Sequence, residues 1–201
     1  MVSTRLSRVA SKARTRDELV AAARGAFLER GFHAASLEDI AEEAGYTKGA
    51  VYSNFDGKDD LFFAVLEKHY AARAEAYEEI ILAGSGVEET FRSVARFMLE
   101  TYAREPAWWA LISEFSTHAS RHPELKERLR VARERFMDAV ARAIDGMAER
   151  HGISFMLPTR EVARGSGALL RGMAAEWQID DSLDRRAFED MFTAYLKGLR
   201  S

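Results

Sequence analysis

Apolar residues recur at three- and four-residue spacing along almost the whole chain, the period of helices with one face turned inward. No run alternates apolar with polar at the two-residue period of a strand, and prolines stand only at 106, 123 and 158. The expected class is all-α, with about nine helices. The first should open at Thr15, where Thr15-Arg16-Asp17-Glu18 has the form of a capping box. It turns Leu19, Val20, Ala23, Phe27 and Leu28 inward until Gly31 ends it. A second starts at Ser36, carries Ile40, Ala41 and Ala44, and stops at Gly45. Thr47 caps a short third helix over roughly Lys48 to Asn54, anchored by Val51 and Phe55. So short a helix does not hold alone in water and must dock on its neighbours.

Asp56-Gly57 breaks the chain before a fourth helix from Lys58 to about Ile81, roughly 40 Å long at the usual rise. A fifth carries Val87, Phe91, Val94, Met98 and Tyr102; Pro106 opens a sixth, short and aromatic. Pro123 begins a long seventh, and an eighth starts near Pro158-Thr159. The ninth begins at about Asp184 or Arg185. The expected division is a flexible basic arm (residues 1–14), a three-helix helix-turn-helix domain (15–62) and a helical ligand-binding and dimerisation domain (63–201).

Two short helices joined by a glycine turn form a helix-turn-helix, whose second helix can enter a DNA major groove. The net charge of −3 argues against a broad nucleic-acid surface, but its distribution tells more. Arg5, Arg8, Lys12, Arg14 and Arg16 give residues 1–16 a charge of +5. Residues 17–58 carry four cations against eight acids, a net −4. Random DNA should therefore bind weakly, because non-specific affinity is mostly phosphate neutralisation. The basic segment also reads simply as a solubilising tail.

With no cysteine, disulfides and thiolate metal sites are excluded. No apolar stretch has the length of a membrane span and no secretory signal opens the chain, so a cytoplasmic location is expected. No His-Glu-x-x-His, phosphate loop or nucleophile elbow is present, so neither an enzyme nor a bound cofactor is expected. Glu114, His118 and His122 fall at four-residue spacing, but Pro123 disfavours helical geometry at His122, so no metal site is expected.

One stretch carries a family resemblance. Ala23, Phe27, Gly31 and Phe32 are followed in order by Ser36, Ile40-Ala41, Ala44-Gly45, Gly49, Val51-Tyr52, Phe55, Lys58 and Leu61. From Thr15 to about Tyr70 the chain resembles the DNA-binding region of tetracycline-repressor-type (TetR) transcriptional regulators. The resemblance implies a DNA-facing set of Ser36, Thr47, Lys48, Gly49, Tyr52, Asn54 and Lys58. Tyr52 would donate to a phosphate, and Lys48 and Lys58, each a cation opposing the dipole at a helix start, would meet a phosphate or a guanine edge. Asn54 stands where the family usually has His or Tyr.

The same resemblance implies a homodimer on a palindromic double-stranded operator and a small apolar or aromatic effector that releases it. Leu169, Leu170, Met173, Phe188, Phe192 and Tyr195 would form the dimer bundle, although periodicity alone fits an internal core equally well. Phe97, Met98, Tyr102, Trp108 and Trp109 could line an apolar pocket with Phe115, Phe136 and Met137, with Glu114 or His118 as its polar contact; a dense core needs the same residues. The competing reading is an effector-independent DNA-binding protein whose C-terminal half serves only assembly.

Overall fold

The computed structural model describes residues 2–177, 179, 180, 182 and 184–201; the side chains of residues 2–8, 174 and 185 lie outside that description, and with them the basic-arm reading of Arg5 and Arg8. Among the described residues there are nine α-helices: α1 (Val2–Ala34), α2 (Leu37–Glu43), α3 (Lys48–Tyr52), α4 (Lys58–Ala83), α5 (Val87–Arg104), α6 (Pro106–Ser120), α7 (Pro123–His151), α8 (Thr159–Trp177) and α9 (Arg185–Gly198). The chain is all-α, with an isolated bridge between Phe155 and Arg200.

The first helix differs from expectation at its start. Residues 2–14 contain no proline or glycine, and the helix runs from Val2 straight through Thr15. Thr15 therefore caps nothing; its hydroxyl donates to Tyr46 Oη at 3.4 Å, and the Tyr46 hydroxyl donates in turn to Glu18. At the other end Gly31 breaks the helix with φ 78° and ψ 170°, a backbone conformation open to glycine and strained for other residues.

Two compact units are present, one of Met1–His69 with Ala107–Arg130, the other of Tyr70–Pro106 with Val131–Ser201. The division departs from the boundary expected after residue 62, because α6 and the start of α7 join the helix-turn-helix. The cause is a ring cluster. Phe115 of α6 stacks on Phe62 at 3.8 Å between centroids and meets Phe32 edge-on at 4.9 Å and Phe63 at 5.3 Å. Phe27 closes the cluster against Phe62 at 5.6 Å. Such pairs each contribute about 0.5–1.5 kcal/mol beyond the area they bury.

In the second unit α5 packs on α9 and α8, around Phe91, Ala95, Leu99, Val162, Leu170, Met173, Phe192 and Leu196. Half of the expected dimer set is thus interior: Leu170, Met173 and Phe192 serve the protomer's own core. Leu169, Phe188 and Tyr195 are only partly buried, and Met191, absent from the expectation, is exposed. Gly165 leaves room for the tip of Tyr195, whose hydroxyl a Cβ there would meet.

Gly31→Ala is expected to destabilise the protein by about 2 kcal/mol, a strained backbone compounded by a clash. The added Cβ would lie 2.8 Å from Glu114 Oε2. A lowered urea midpoint with an unchanged slope is the signature; an unchanged midpoint would remove the constraint assigned to Gly31.

Candidate nucleic-acid interface

The helix-turn-helix is fixed by caps that its sequence announces. Ser36, extended at φ −107°, accepts the amide of Asp39 at 3.1 Å and opens α2. Gly45 turns the chain with φ 74°, and the Tyr46 amide closes back on the Ala41 carbonyl at 2.8 Å. Thr47 then accepts the Ala50 amide at 3.3 Å and opens α3. Ile40, Ala41, Val51 and Phe55 are buried beneath. A five-residue helix is thereby held at both ends and along one face.

The outer face of α3 carries Lys48, Gly49 and Tyr52. Tyr52 is 53% exposed, unusual for so large a ring. The Lys48 ammonium lies 5.7 Å from the centre of that ring and forms an ion pair with Glu38 of α2. Their bond holds the Glu38 carboxyl below its ordinary range and raises the Lys48 ammonium. A lowered carboxyl contributes above its unfolded pKa and loses the contribution as pH falls through its folded value; a raised ammonium does the reverse at the alkaline end. The pair is therefore intact at neutral pH. The sequence reading missed Glu38 because its partner lies ten residues away across a turn.

Two expected DNA contacts face elsewhere. Asn54 folds back on its own helix, its amide donating to the Ala50 carbonyl at 2.8 Å and to Ser53 Oγ at 3.2 Å. The Lys58 ammonium donates to the carbonyls of His33 at 3.0 Å and Ala35 at 3.1 Å, and sits 4.8 Å from the Phe32 ring. It caps the end of α1, where free carbonyls attract a cation. Arg16, counted with the basic residues of the N-terminus, donates to the Asn54 carbonyl at 2.9 Å and covers Phe55 at 4.2 Å. Arg30 ties α1 to α2 through Glu43 at 2.7 Å.

The expected effector pocket is divided between the units. Trp108, Trp109, Glu114, Phe115 and His118 belong to the first. There Glu114 accepts the amides of Phe32 at 3.0 Å and His33 at 2.9 Å, and His118 Nε2 meets Asp59 at 3.2 Å. Both Glu114 oxygens and His118 Nε2 are thus engaged within the first unit, apart from the other residues of the expected pocket. Phe97, Met98, Tyr102, Phe136 and Met137 belong to the second unit. Tyr70 stacks on Phe136 at 4.9 Å, and Tyr77 contacts Phe97 at 5.3 Å. Tyr70 and Tyr77 lie two turns apart on one face of α4, a spacing that could have placed both with this group.

Known proteins agree with this geometry. A family model described as bacterial regulatory proteins, tetR family, matches residues 19–65. A second, described as BetI-type transcriptional repressor, C-terminal, matches residues 87–201, more than half of the chain. The chain belongs to the TetR family of transcriptional regulators. It is 27% identical over 168 residues to the transcriptional activator FasR of Mycolicibacterium smegmatis, covering 83% of this chain and 73% of FasR. A TetR-family regulator from Mesorhizobium loti shares the fold with a TM-score of 0.75 at 22% identity, over 93% of this chain and 95% of that one. So does FadR of Bacillus subtilis, solved in complex with stearoyl-CoA, with a TM-score of 0.66 at 17% identity over 89% and 96% of the two chains. Family and relatives are DNA-binding transcriptional regulators, not enzymes. No described helix is long and apolar enough to cross a membrane.

For a TetR-family head, the inward Lys58 carries a distinct expectation. Lys58→Met should cost about 1–2 kcal/mol of stability, two carbonyls losing a charged donor. The slope of log affinity against log salt on random DNA should stay that of the parent protein. A slope shallower by about one, with stability unchanged, would put the ammonium on a phosphate instead.

Proposed function

We propose that the protein is a ligand-responsive regulator, a repressor, that binds a palindromic operator as a homodimer and is released by a small apolar or aromatic effector. The observation that carries the DNA-reading part is Tyr52, held bare beside Lys48 on a short helix whose every other side is docked or capped. A single reading head covers few base pairs, so two-fold half-sites about one DNA turn apart, or multiples of that, suit a dimer. The partly buried Leu169, Phe188 and Tyr195, with exposed Met191, are the apolar positions that α8 and α9 leave for a second copy. Its place of action is the cytoplasm, where the operator lies.

On DNA, Tyr52 donates to a phosphate and Lys48 exchanges Glu38 for a phosphate or a guanine edge. Gly49 is exposed and open except for Thr47 Oγ1, 3.7 Å from where its Cβ would lie, so backbone can approach the groove floor. The effector lies in the second unit, among Phe97, Tyr102, Phe136 and Met137. It acts through α4 and α7, each of which contributes residues to both units. An effector that binds only the DNA-incompetent state releases the operator by shifting the population. The FadR complex with stearoyl-CoA supports a ligand-binding role for the fold.

Lys48→Ala is expected to weaken operator binding more than binding to random DNA; equal losses on both would reject its reading role. For the effector, calorimetry on the free and operator-bound protein, with lipophilic compounds that displace DNA, should give at least tenfold weaker binding to the complex. Equal affinity in the two states would sink the release mechanism and favour a C-terminal half that serves only assembly.

A further inference from the structure

The second unit contains a pair of half-buried arginines that its own carboxylates leave alone. Several arginines of the unit are matched, Arg73 with Glu105 at 2.6 Å, Arg160 with Asp138 at 2.8 Å and Arg96 with Glu189 at 3.2 Å, and others, such as Arg92 and Arg142, are exposed to solvent. Arg171 of α8 and Arg133 of α7 have no carboxylate and no hydrogen-bond partner among the described residues. The charged group that acts on Arg171 is Arg133, the hydroxyl side chains that act on it are Tyr70 and Tyr102, and Tyr70 feels both arginines. Burial, and then the like charge of Arg133, pull the Arg171 guanidinium below its ordinary value. A partly desolvated cation facing another cation is costly to keep without a counter-ion.

The surroundings suit an anion with an apolar body. A Cβ on Gly167 would lie 3.4 Å from Arg171 Nη1 and 3.7 Å from Met137 Cε, so the guanidinium and the Met137 methyl both pass close over the glycine. Arg133 lies one helical turn before Phe136 and Met137 on the same face of α7. Phe136 stacks on Tyr70, and Tyr77 joins Phe136 at 6.1 Å to Phe97. Burial pushes the Tyr102 hydroxyl up to about 12 and raises that of Tyr70, so both remain O–H donors at neutral pH.

We propose that the effector carries an oxyanion, a carboxylate or a phosphate ester, bound by Arg171 and Arg133 with the hydroxyls of Tyr70 and Tyr102, while its apolar body lies against Phe97, Phe136 and Met137. The proposal rests on the effector reading and adds the charge of the ligand to it. Planar guanidinium forks match both oxyanions, and charge-assisted bonds are about twice as strong as neutral ones.

The test compares decanoate, decanamide and decyl phosphate on the full-length protein, by calorimetry and by displacement of labelled operator. At least one anion should bind tenfold or more tightly than decanamide. Arg171→Gln and Arg133→Gln should each bring that anion to the level of decanamide and leave decanamide unchanged. Removing an unpaired cation should leave the thermal midpoint of the free protein equal or higher, whereas a lowered midpoint would mark a structural role and overturn the proposal. Preference for decanoate assigns the carboxylate, and preference for decyl phosphate the phosphate ester. Equal binding of anion and amide, with both displacing operator, overturns the anion site and leaves the effector reading standing. Failure of the effector reading is distinct: no lipophilic compound, charged or neutral, changes operator affinity.

Discussion

The reading head depends on one carboxylate that its own stretch of sequence does not supply. Glu114, carried by α6, accepts the backbone amides of Phe32 and His33 where Gly31 breaks the first helix. Amides at such a break have no helical partner, and a charged acceptor satisfies two at once. With them held, Phe32 enters the ring cluster and the chain reaches Ser36 in the extended conformation that caps α2. Lys58 secures the neighbouring carbonyls from the other side. The position of α3 is the last result of this sequence of constraints.

Those constraints make the head part of a unit that includes residues 107–130. α6 packs Trp108, Leu111 and Phe115 in the same buried interior as Phe27 and Phe62. Whatever moves α6 moves the acceptor of the Phe32 and His33 amides. On the exposed side electrostatics are sparse, since Lys48 is already shared with Glu38. Such a surface gains little from random phosphate and relies on correct groove contacts for affinity.

The sequence was most legible where the cause is local. Ser36, Gly45 and Thr47 act within three residues of themselves, and each stands as its residue type demands. The helices after Asp56 begin close to where proline and acid signals put them, with Asp184 accepting the Arg186 amide at 2.9 Å. It was least legible where a side chain reaches across the fold. Glu114 meets partners 81 and 82 residues away, and nothing in its own spacing distinguishes that from a ligand contact. Lys58 was read as a phosphate ligand because a cation at an exposed helix start looks the same whether it turns out or in. Thr15 satisfied a capping pattern, yet residues before it had no helix breaker, and continuation prevailed. Periodicity on α8 and α9 marked the apolar face but not which of its members, Leu170 or Leu169, lies deeper.

The central claim is that α3 reads DNA sequence as part of a two-fold assembly. The most direct measurement is selection of bound fragments from random double-stranded DNA by the intact protein, followed by sequencing. The account predicts enrichment of two inverted half-sites whose centres lie one helical turn, or a multiple of it, apart. Enrichment of nothing beyond the input pool, or of a lone half-site without its inverted mate, would contradict it.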